Sequence, residues 1–342
     1  MFAGPNGAGK TNLLEAASLL VPGRGLRGAR FAELARQGGA GGWAVAARFD
    51  NGLEIGTGAV ENAPDRRAFL LNGVKPRAQS EVAEQFAAVW LTPQMDRLFT
   101  DTASGRRKFL DRLVVALEPH HAREIAAFES ASAQRNRLLA EPSYDAAWAA
   151  ALEDSMARHA VSASAARAAL ITRLNATLAA GAADPFPRVV LGLSCAIGQK
   201  LNEAPALDVE DWLRAALAAS RAADAVAKAS SQGPQKADLL ITDALAGRAA
   251  AFSSTGQQKA MLIGIVLGHA AMIAAARGEP PLLLLDEPLV HLDAQRRAAL
   301  FAALAKADFP AWLTGTDVEV FEGLDAGRYV VKDARLEPLL GF

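Results

Sequence analysis

The sequence has few of the residues that crosslink a protein or anchor it in a membrane. Only one of its 342 residues is a cysteine, Cys195, which excludes an internal disulfide and any zinc site built on paired cysteines. No apolar run reaches the roughly 20 residues that a membrane span needs, and the N-terminus does not resemble a signal peptide. We therefore expect a cytoplasmic protein with no membrane partner.

The low net charge and the small number of aromatic residues limit the ways in which this chain could bind nucleic acid. The formal net charge is −1, so any contact with DNA must come from local basic clusters rather than from the chain as a whole. Aromatic residues make up 6% of the chain, which disfavours capture of single-stranded nucleic acid by base stacking. The five histidines show no spacing typical of metal ligands.

Apolar residues are abundant and make up 51% of the chain, enough for a large core. Many of them are alanine, which favours helix. Residues 1–101 predict a loop, a helix at 12–20 and antiparallel strands that turn at Asn51-Gly52 and Asn72-Gly73. Residues 102–232 predict an arm domain of two long helices folded back near 141–143, then a strand at 188–198 and a helix at 209–230. Residues 233–342 contain two short apolar runs, 282–286 and 311–317, typical of buried parallel strands. The predicted fold is an α/β head built from both ends of the chain, with a small antiparallel sheet and an inserted α-helical arm.

A glycine-rich loop lies at the front of the chain. It consists of Gly4, Pro5, Asn6, Gly7, Ala8, Gly9, Lys10 and Thr11. Its glycines let consecutive backbone N–H groups turn toward phosphates, while Lys10 reaches the β and γ phosphates and Thr11 offers a hydroxyl to Mg²⁺. The pattern predicts a nucleotide site that holds ATP with Mg²⁺.

Two acids follow the apolar run at 282–285. At the end of a buried strand, Asp286 is positioned to hold Mg²⁺ and Glu287 to orient or deprotonate the attacking water. Taken alone, the pattern also fits a strand that runs into an acidic turn. Its pairing with the glycine loop favours the catalytic interpretation.

Between these motifs, Ser254-Thr255-Gly256-Gln257 precedes an apolar helix and resembles the signature of ABC-type ATPases. Alone it would fit an ordinary helix cap equally well. The resemblance implies that Ser254, Gly256 and Gln257 cap the γ-phosphate held by a second copy, and that Asp293 lies in a loop coupling the two sites. It therefore implies a two-fold dimer that forms with ATP.

Several segments that nucleotide chemistry does not require resemble the RecF family of DNA replication and repair proteins. They are NGAGKTNLLEA followed by PGRGLRGARFAEL, the block SGRRKFLD at 104–111, QRNRLL at 134–139 and GPQKADL at 233–239. The resemblance implies an ATP-driven homodimer on double-stranded DNA near single-strand gaps, with slow ATP hydrolysis. It also implies that the protein helps the mediators RecO and RecR load recombinase.

The sequence departs from the family pattern at several positions. Gln94 stands where the family has an acid, although other ABC-type ATPases use a glutamine there to sense Mg²⁺ and the attacking water, so it is a candidate for both roles. Thr316, or Thr314, follows the last apolar run where transporter ATPases have a histidine, and is a candidate γ-phosphate contact. Only three residues precede Gly4, whereas the family has a strand pair there, so either the start is misassigned or the chain is truncated. A real truncation is expected to weaken both the sheet and the binding of adenine.

Two basic clusters are candidates for DNA contact, since phosphate contacts dominate DNA affinity. The residues are Arg24, Arg27 and Arg30 in the first cluster and Arg106, Arg107 and Lys108 in the second. A solvated helix face or a salt-bridged hinge explains each cluster equally well. Two other functions remain open from the sequence: an ATPase subunit of a transporter, and a DNA-binding protein whose truncated front has disabled hydrolysis.

Overall fold

The structure, a computed structural model, describes residues 1–36, 38–39, 41–60, 63–332 and 335–339. The chain forms two compact units, and neither is continuous in sequence. The first unit contains residues 1–96, 181–187 and 254–342, and the second contains residues 97–180 and 188–253. The glycine loop and the acids at 286–287 both belong to the first unit.

A six-stranded sheet forms the centre of the first unit, in the order β12-β11-β1-β10-β9-β5. Neighbouring strands are parallel except for the antiparallel β11–β12 pair, so the sheet is mixed. The strands are β1 (Phe2–Ala3), β5 (Ala88–Leu91), β9 (Leu282–Leu285), β10 (Ala311–Gly315), β11 (Tyr329–Lys332) and β12 (Arg335–Pro338). The two apolar runs at 282–286 and 311–317 thus contain parallel strands, as predicted from the sequence.

Burial of apolar side chains fixes the position of these strands. Leu283 and Leu284 in β9 are fully buried, as expected of a strand covered on both faces. Helices α1 (Lys10–Ser18), α9 (Thr255–Arg277) and α10 (Ala294–Ala307) complete this part of the unit. Helix α9 is long and apolar enough to cross a membrane, but 78% of its apolar window is buried inside the protein, as in a core helix.

A smaller antiparallel sheet follows α1, with β2 (Ala44–Arg48), β3 (Glu54–Val60) and β4 (Ala63–Leu71) in sequence order. Ile55 and Phe69 from its strands pack with Leu20 and with Val82 of helix α2 (Gln79–Gln85). The predicted turns at 51–52 and 72–73 are confirmed, and Asn72 and Gly73 both have positive φ, at 50° and 77°.

The second unit is mainly helical, and here the sequence prediction was wrong in one respect. Residues 102–180 form three helices rather than two, namely α3 (Ala103–Leu117), α4 (His121–Leu139) and α5 (Ala146–Ala179). Pro119 causes the additional break, because a proline disfavours helical backbone at the residue before it. Helix α3 accordingly ends before Glu118, whose φ and ψ are −125° and 81°.

A three-stranded antiparallel sheet packs with these helices. It consists of β6 (Val189–Ser194), β7 (Asp238–Asp243) and β8 (Arg248–Ala249). Between β6 and β7 the chain forms three helices, α6 (Ala196–Leu201), α7 (Ala206–Ala219) and α8 (Arg221–Ala227). Cys195 caps the start of α6 and is buried in the apolar core.

Candidate functional site

The glycine loop connects β1 to α1 and has the backbone geometry of a phosphate cradle. Gly7 and Gly9 have φ of 83° and 105°, which side-chain-bearing residues rarely adopt. A side chain at Gly4 is excluded by space, because its Cβ would lie 2.3 Å from the carbonyl oxygen of Val331 in β11. Helix α1 begins directly behind the loop, so its N-terminal N–H groups and dipole favour an anion there.

Lys10 is held at this loop by backbone oxygens. Its Nζ donates to the carbonyl oxygens of Gly4, at 2.7 Å, and Pro5, at 3.0 Å, and the residue is 5% exposed. Both acceptors are neutral, so neither of them balances the positive charge of the ammonium group. An ammonium held in this way can bind a phosphate oxygen by moving its N–H donors, with little rearrangement of the backbone.

The acids at the end of β9 lie beside the loop. Oδ1 of Asp286 accepts hydrogen bonds from the hydroxyls of Thr11, at 3.1 Å, and Thr314, at 2.7 Å. Glu287 has a φ of 48°, and its backbone N–H donates to Oγ1 of Thr314 at 2.9 Å. Such strained backbone persists only where its surroundings fix it, and it occurs often at functional sites. Thr11, Asp286 and Glu287, which the sequence predicted to act together, therefore meet at one edge of the sheet.

Thr314 is the residue of this site whose place sequence reasoning did not find. It was considered only as an alternative γ-phosphate contact, whereas the structure buries it completely between the two acids. Its position at the end of β10, the strand beside β9, was the available signal. Thr316, the favoured candidate, is exposed and donates to Oδ2 of Asp317 at 2.9 Å.

The oxygen atoms at this edge suit Mg²⁺. The Thr11 hydroxyl and the Asp286 carboxylate are hard oxygen donors, and their oxygens converge within hydrogen-bond distance. Among the described residues, no group of three or more His, Cys, Asp or Glu side chains could hold a metal ion. A sparse protein donor set is typical of Mg²⁺, which takes its remaining ligands from phosphates and water.

Gln94 lies near the same edge. It is exposed on the 3-10 turn Pro93–Arg97 that follows β5, and the carbonyl oxygen of Leu91 at the end of β5 accepts from the Asp286 N–H at 2.9 Å. Because the ends of β5 and β9 are hydrogen-bonded to each other, the turn that carries Gln94 starts close to Asp286 and Glu287.

Ser254 and Asp293 begin two helices whose starts adjoin. Oγ of Ser254 accepts from the N–H of Gln257 and caps α9, while Oδ1 of Asp293 accepts from the N–H of Arg296 and caps α10. Nη2 of Arg296 donates to Oε1 of Gln257 at 2.9 Å. We call residues 254–257 the signature turn and residues 287–293 the coupling loop. Gly256 lies in the first, Asp293 in the second, and Arg296 connects them.

The first basic cluster is presented outward by a tethered loop. The N–H groups of Leu26 and Arg27 donate to Oγ of Ser18 and Oε2 of Glu15, at 2.7 and 2.9 Å, and so bind the loop to α1. Burial raises the pKa of the Glu15 carboxyl above its ordinary value. The side chains of this cluster are exposed, namely Arg24, Arg27 and Arg30.

The second basic cluster is used largely inside its own unit. Arg106 forms a two-pronged ion pair with Asp238, at 2.6 and 2.7 Å, and Arg107 donates to the carbonyl oxygen of Ala237 at 2.7 Å. The Arg106 guanidinium holds the pKa of the Asp238 carboxyl below its ordinary value. The salt-bridged role left open by the sequence is favoured for Arg106, Arg107 binds a backbone carbonyl oxygen, and Lys108 is exposed.

Comparison with known proteins places this geometry in a family. No protein-family model matches the chain. The chain is 46% identical over 330 residues to the DNA replication and repair protein RecF of Mesorhizobium japonicum, covering 95% of this chain and 87% of that protein. It is 42% identical over 340 residues to RecF of Allorhizobium ampelinum, covering 97% and 90% respectively.

A solved structure of the recombination mediator protein RecF with ATP, from the RecFOR pathway, superposes with a TM-score of 0.84. It is 21% identical and covers 99% of this chain and 90% of that one, so this likeness concerns the fold. It confirms the predicted α/β head, with its mixed sheet and helices. From the identity to its curated relatives, the chain belongs to the RecF family of DNA replication and repair proteins.

Proposed function

We propose that this chain is an ATPase that binds ATP with Mg²⁺ and dimerises on double-stranded DNA near single-strand gaps in the cytoplasm. The observation that carries the proposal is the convergence of Lys10, Thr11, Asp286 and Glu287 at one edge of the six-stranded sheet. A phosphate cradle, an oxygen set for Mg²⁺ and a second carboxylate are the parts that phosphoryl transfer to water requires.

Each residue has one role in this proposal. The loop of residues 4–11 cradles the phosphates and Lys10 contacts the β and γ phosphates, while Thr11 and Asp286 hold Mg²⁺, with Gln94 beside them. When bound, Mg²⁺ neutralises charge that develops on the phosphate oxygens. Glu287 orients the attacking water and accepts its proton. Thr314 fixes both acids, since it contacts the Asp286 carboxylate and the Glu287 N–H.

A second copy completes the site. Ser254, Gly256 and Gln257 would meet the γ-phosphate bound to the partner, and Asp293 would connect the two sites. Thr316 is a further candidate for contact with a γ-phosphate. The adjacency of the signature turn and the coupling loop supports this arrangement, because one rigid surface would present both segments to the partner. Two identical sites then follow from two-fold symmetry.

The DNA surface includes the exposed side chains of Arg24, Arg27 and Arg30. Their loop is fixed to α1, the helix that follows the phosphate loop, so DNA contact and nucleotide contact would act on neighbouring parts of one element. Lys108, which is exposed in the second unit, is a separate candidate for DNA contact, while Arg106 and Arg107 support the fold of that unit. We further propose slow, DNA-stimulated hydrolysis and cooperation with RecO and RecR in loading recombinase, since a relative of this fold is described within the RecFOR pathway.

The Glu287→Gln variant tests the proposal. It should still bind ATP but hydrolyse it at least about 100-fold more slowly, so that an ATP-bound dimer accumulates on gapped DNA. Light scattering coupled to size exclusion would measure the dimer, and a salt titration of DNA binding would measure the phosphate contacts. A variant that stays monomeric with ATP and gapped DNA would contradict the proposal.

A further inference from the structure

Arg296 connects two segments that are 39 residues apart in sequence. Its Nη2 donates to Oε1 of Gln257 in the signature turn at 2.9 Å, while its Nη1 lies 3.4 Å from Oδ2 of Asp293 in the coupling loop. Its own backbone N–H donates to Oδ1 of the same aspartate at 2.8 Å. One arginine therefore contacts both segments through three separate groups.

Gly256 explains how the segments can approach so closely. A Cβ at this position would lie 3.1 Å from Nη1 of Arg296 and 3.3 Å from the carbonyl oxygen of His291. The signature turn thus rests against the coupling loop with no room for a larger residue unless its neighbours move. His291 itself has a φ of 67°, so the loop is held in a conformation that few side chains favour.

We propose that Arg296 is a positioning residue that holds the signature turn and the coupling loop together as one surface for the nucleotide of a second copy. The inference rests on the proposed function, since it assigns Arg296 to the partner's site and not to the site of its own chain. The planar guanidinium suits this role because its donors are fixed in a fork that can bind two acceptors at once. A lysine carries all its donors on one nitrogen atom and lacks this fork, so it could not reach both segments in the same geometry.

The direct test measures ATP hydrolysis on gapped DNA by the Arg296→Ala and Arg296→Lys variants. Loss of a charge-assisted hydrogen bond predicts a drop of about tenfold for alanine, with lysine between alanine and the unchanged protein. Arg297→Ala is the matched control, since it removes the same charge from the next position of α10, and it should stay within about twofold. Equal losses in the Arg296→Ala and Arg297→Ala variants would overturn the proposal.

A mixing experiment separates action on the partner's site from a merely structural effect. A dimer of one Arg296→Ala copy and one Lys10→Met copy contains one site with an intact phosphate loop facing an intact signature turn. The mixture should therefore hydrolyse ATP faster than the sum of the two variants assayed alone. No gain on mixing, with mixed dimers detected by differently tagged copies, would show that Arg296 serves its own chain and would overturn the inference. Failure of the unchanged protein to dimerise with ATP would contradict the proposed function itself. Dimerisation of the unchanged protein without a gain on mixing would contradict only the role of Arg296.

Discussion

Two buried cations of this protein, one in each unit, are held in different ways. In the second unit, the fully buried Arg135 contacts two carboxylates, Glu153 at 2.9 Å and Asp224 at 2.8 Å. In the first unit, the nearly buried Lys10 donates to two backbone carbonyl oxygens. Both groups are removed from water, but only the arginine has its charge balanced by acids of its own chain.

This difference is the one expected between a charge that supports architecture and a charge that, under the proposed function, binds a ligand. A carboxylate partner neutralises a cation and leaves it little attraction for a further anion. A carbonyl oxygen fixes the position of the cation and leaves its charge in place. The Asp286 carboxylate is the anionic counterpart of Lys10, because the neutral hydroxyl groups of Thr11 and Thr314 fix its position without balancing its charge. The variants below test how each of these charges is held, beginning with the variant that has the largest expected effect.

Replacing Arg135 by methionine should destabilise the second unit by about 3–5 kcal/mol, because Asp224 and Glu153 remain buried after their shared partner is lost. Glu153 keeps a second partner, Arg221, at 2.5 Å, which should hold the loss toward the lower end of that range. Urea unfolding monitored by circular dichroism would measure it. Arg137→Met changes an exposed arginine two residues further along α4 and is the control. Similar losses in both variants would refute the architectural role.

Replacing Lys10 by methionine should weaken ATP binding by about 100-fold or more, because its charge-assisted contacts with the phosphates are lost. Thermal stability should change much less, since the lysine donates to neutral carbonyl oxygens in the absence of nucleotide. Equilibrium binding of a fluorescent ATP analogue would measure the affinity, with the exposed Lys306→Met as control. Unchanged affinity would contradict the site assignment.

The Asp111 carboxylate in the second unit provides a pH test. Burial alone raises its pKa, but hydrogen bonds from His121 and Arg167 outweigh burial and hold the pKa below its ordinary value. A depressed carboxyl pKa stabilises the fold above its unfolded value of about 3.9, and this stabilisation is lost as the pH falls through the lower folded value. Asp111→Asn should cost about 1–3 kcal/mol at pH 7.

The same variant should lose stability less steeply than the unchanged protein as the pH falls below about 4. Urea unfolding at pH 7, 5, 4 and 3 would give both slopes. Glu129→Gln, an exposed acid-to-amide change on α4, is the control. Parallel slopes for the Asp111→Asn variant and the unchanged protein would show that Asp111 does not carry this dependence.

Thr314→Val removes the hydroxyl that joins Asp286 to the Glu287 N–H and leaves the side-chain shape nearly unchanged. ATP hydrolysis should fall about tenfold, the smallest effect in this series. Thr314→Ser keeps the hydroxyl and should restore most of the rate. A phosphate-release assay would compare the two variants, and equal rates would mean that the hydroxyl does not position the acids.

The sequence predicts the parts of this protein whose physics is local. Lys10 and Thr11 were predicted from one short glycine-rich motif and Asp286 from the end of an apolar run, and the structure brings Thr11 and Asp286 within 3.1 Å of each other. The turn at Asn72-Gly73 was found because positive φ favours those residues. The break before Pro119 was equally local, and the sequence contained its signal although the prediction passed over it.

Side-chain contacts between segments that are far apart in the chain could not be predicted from the sequence. The bond between Arg296 and Gln257 and the ion pair between Arg106 and Asp238 join residues 39 and 132 positions apart. Their charges alone fit a DNA surface, a solvated face or an internal ion pair equally well. Only the fold decides among these alternatives, because it determines which acceptors each guanidinium meets.

Strand β1 has a consequence for the synthesis of the protein. Phe2 pairs with Thr314 on one side and Tyr329 on the other, so this strand needs neighbours that are translated about 310 residues later. At typical elongation rates the wait is about 15–60 s. During that interval the phosphate loop lacks the framework that shapes it, and a nascent chain would expose apolar surface that chaperones bind. A ribosome stalled before residue 311 would therefore carry an intact loop sequence and no nucleotide site.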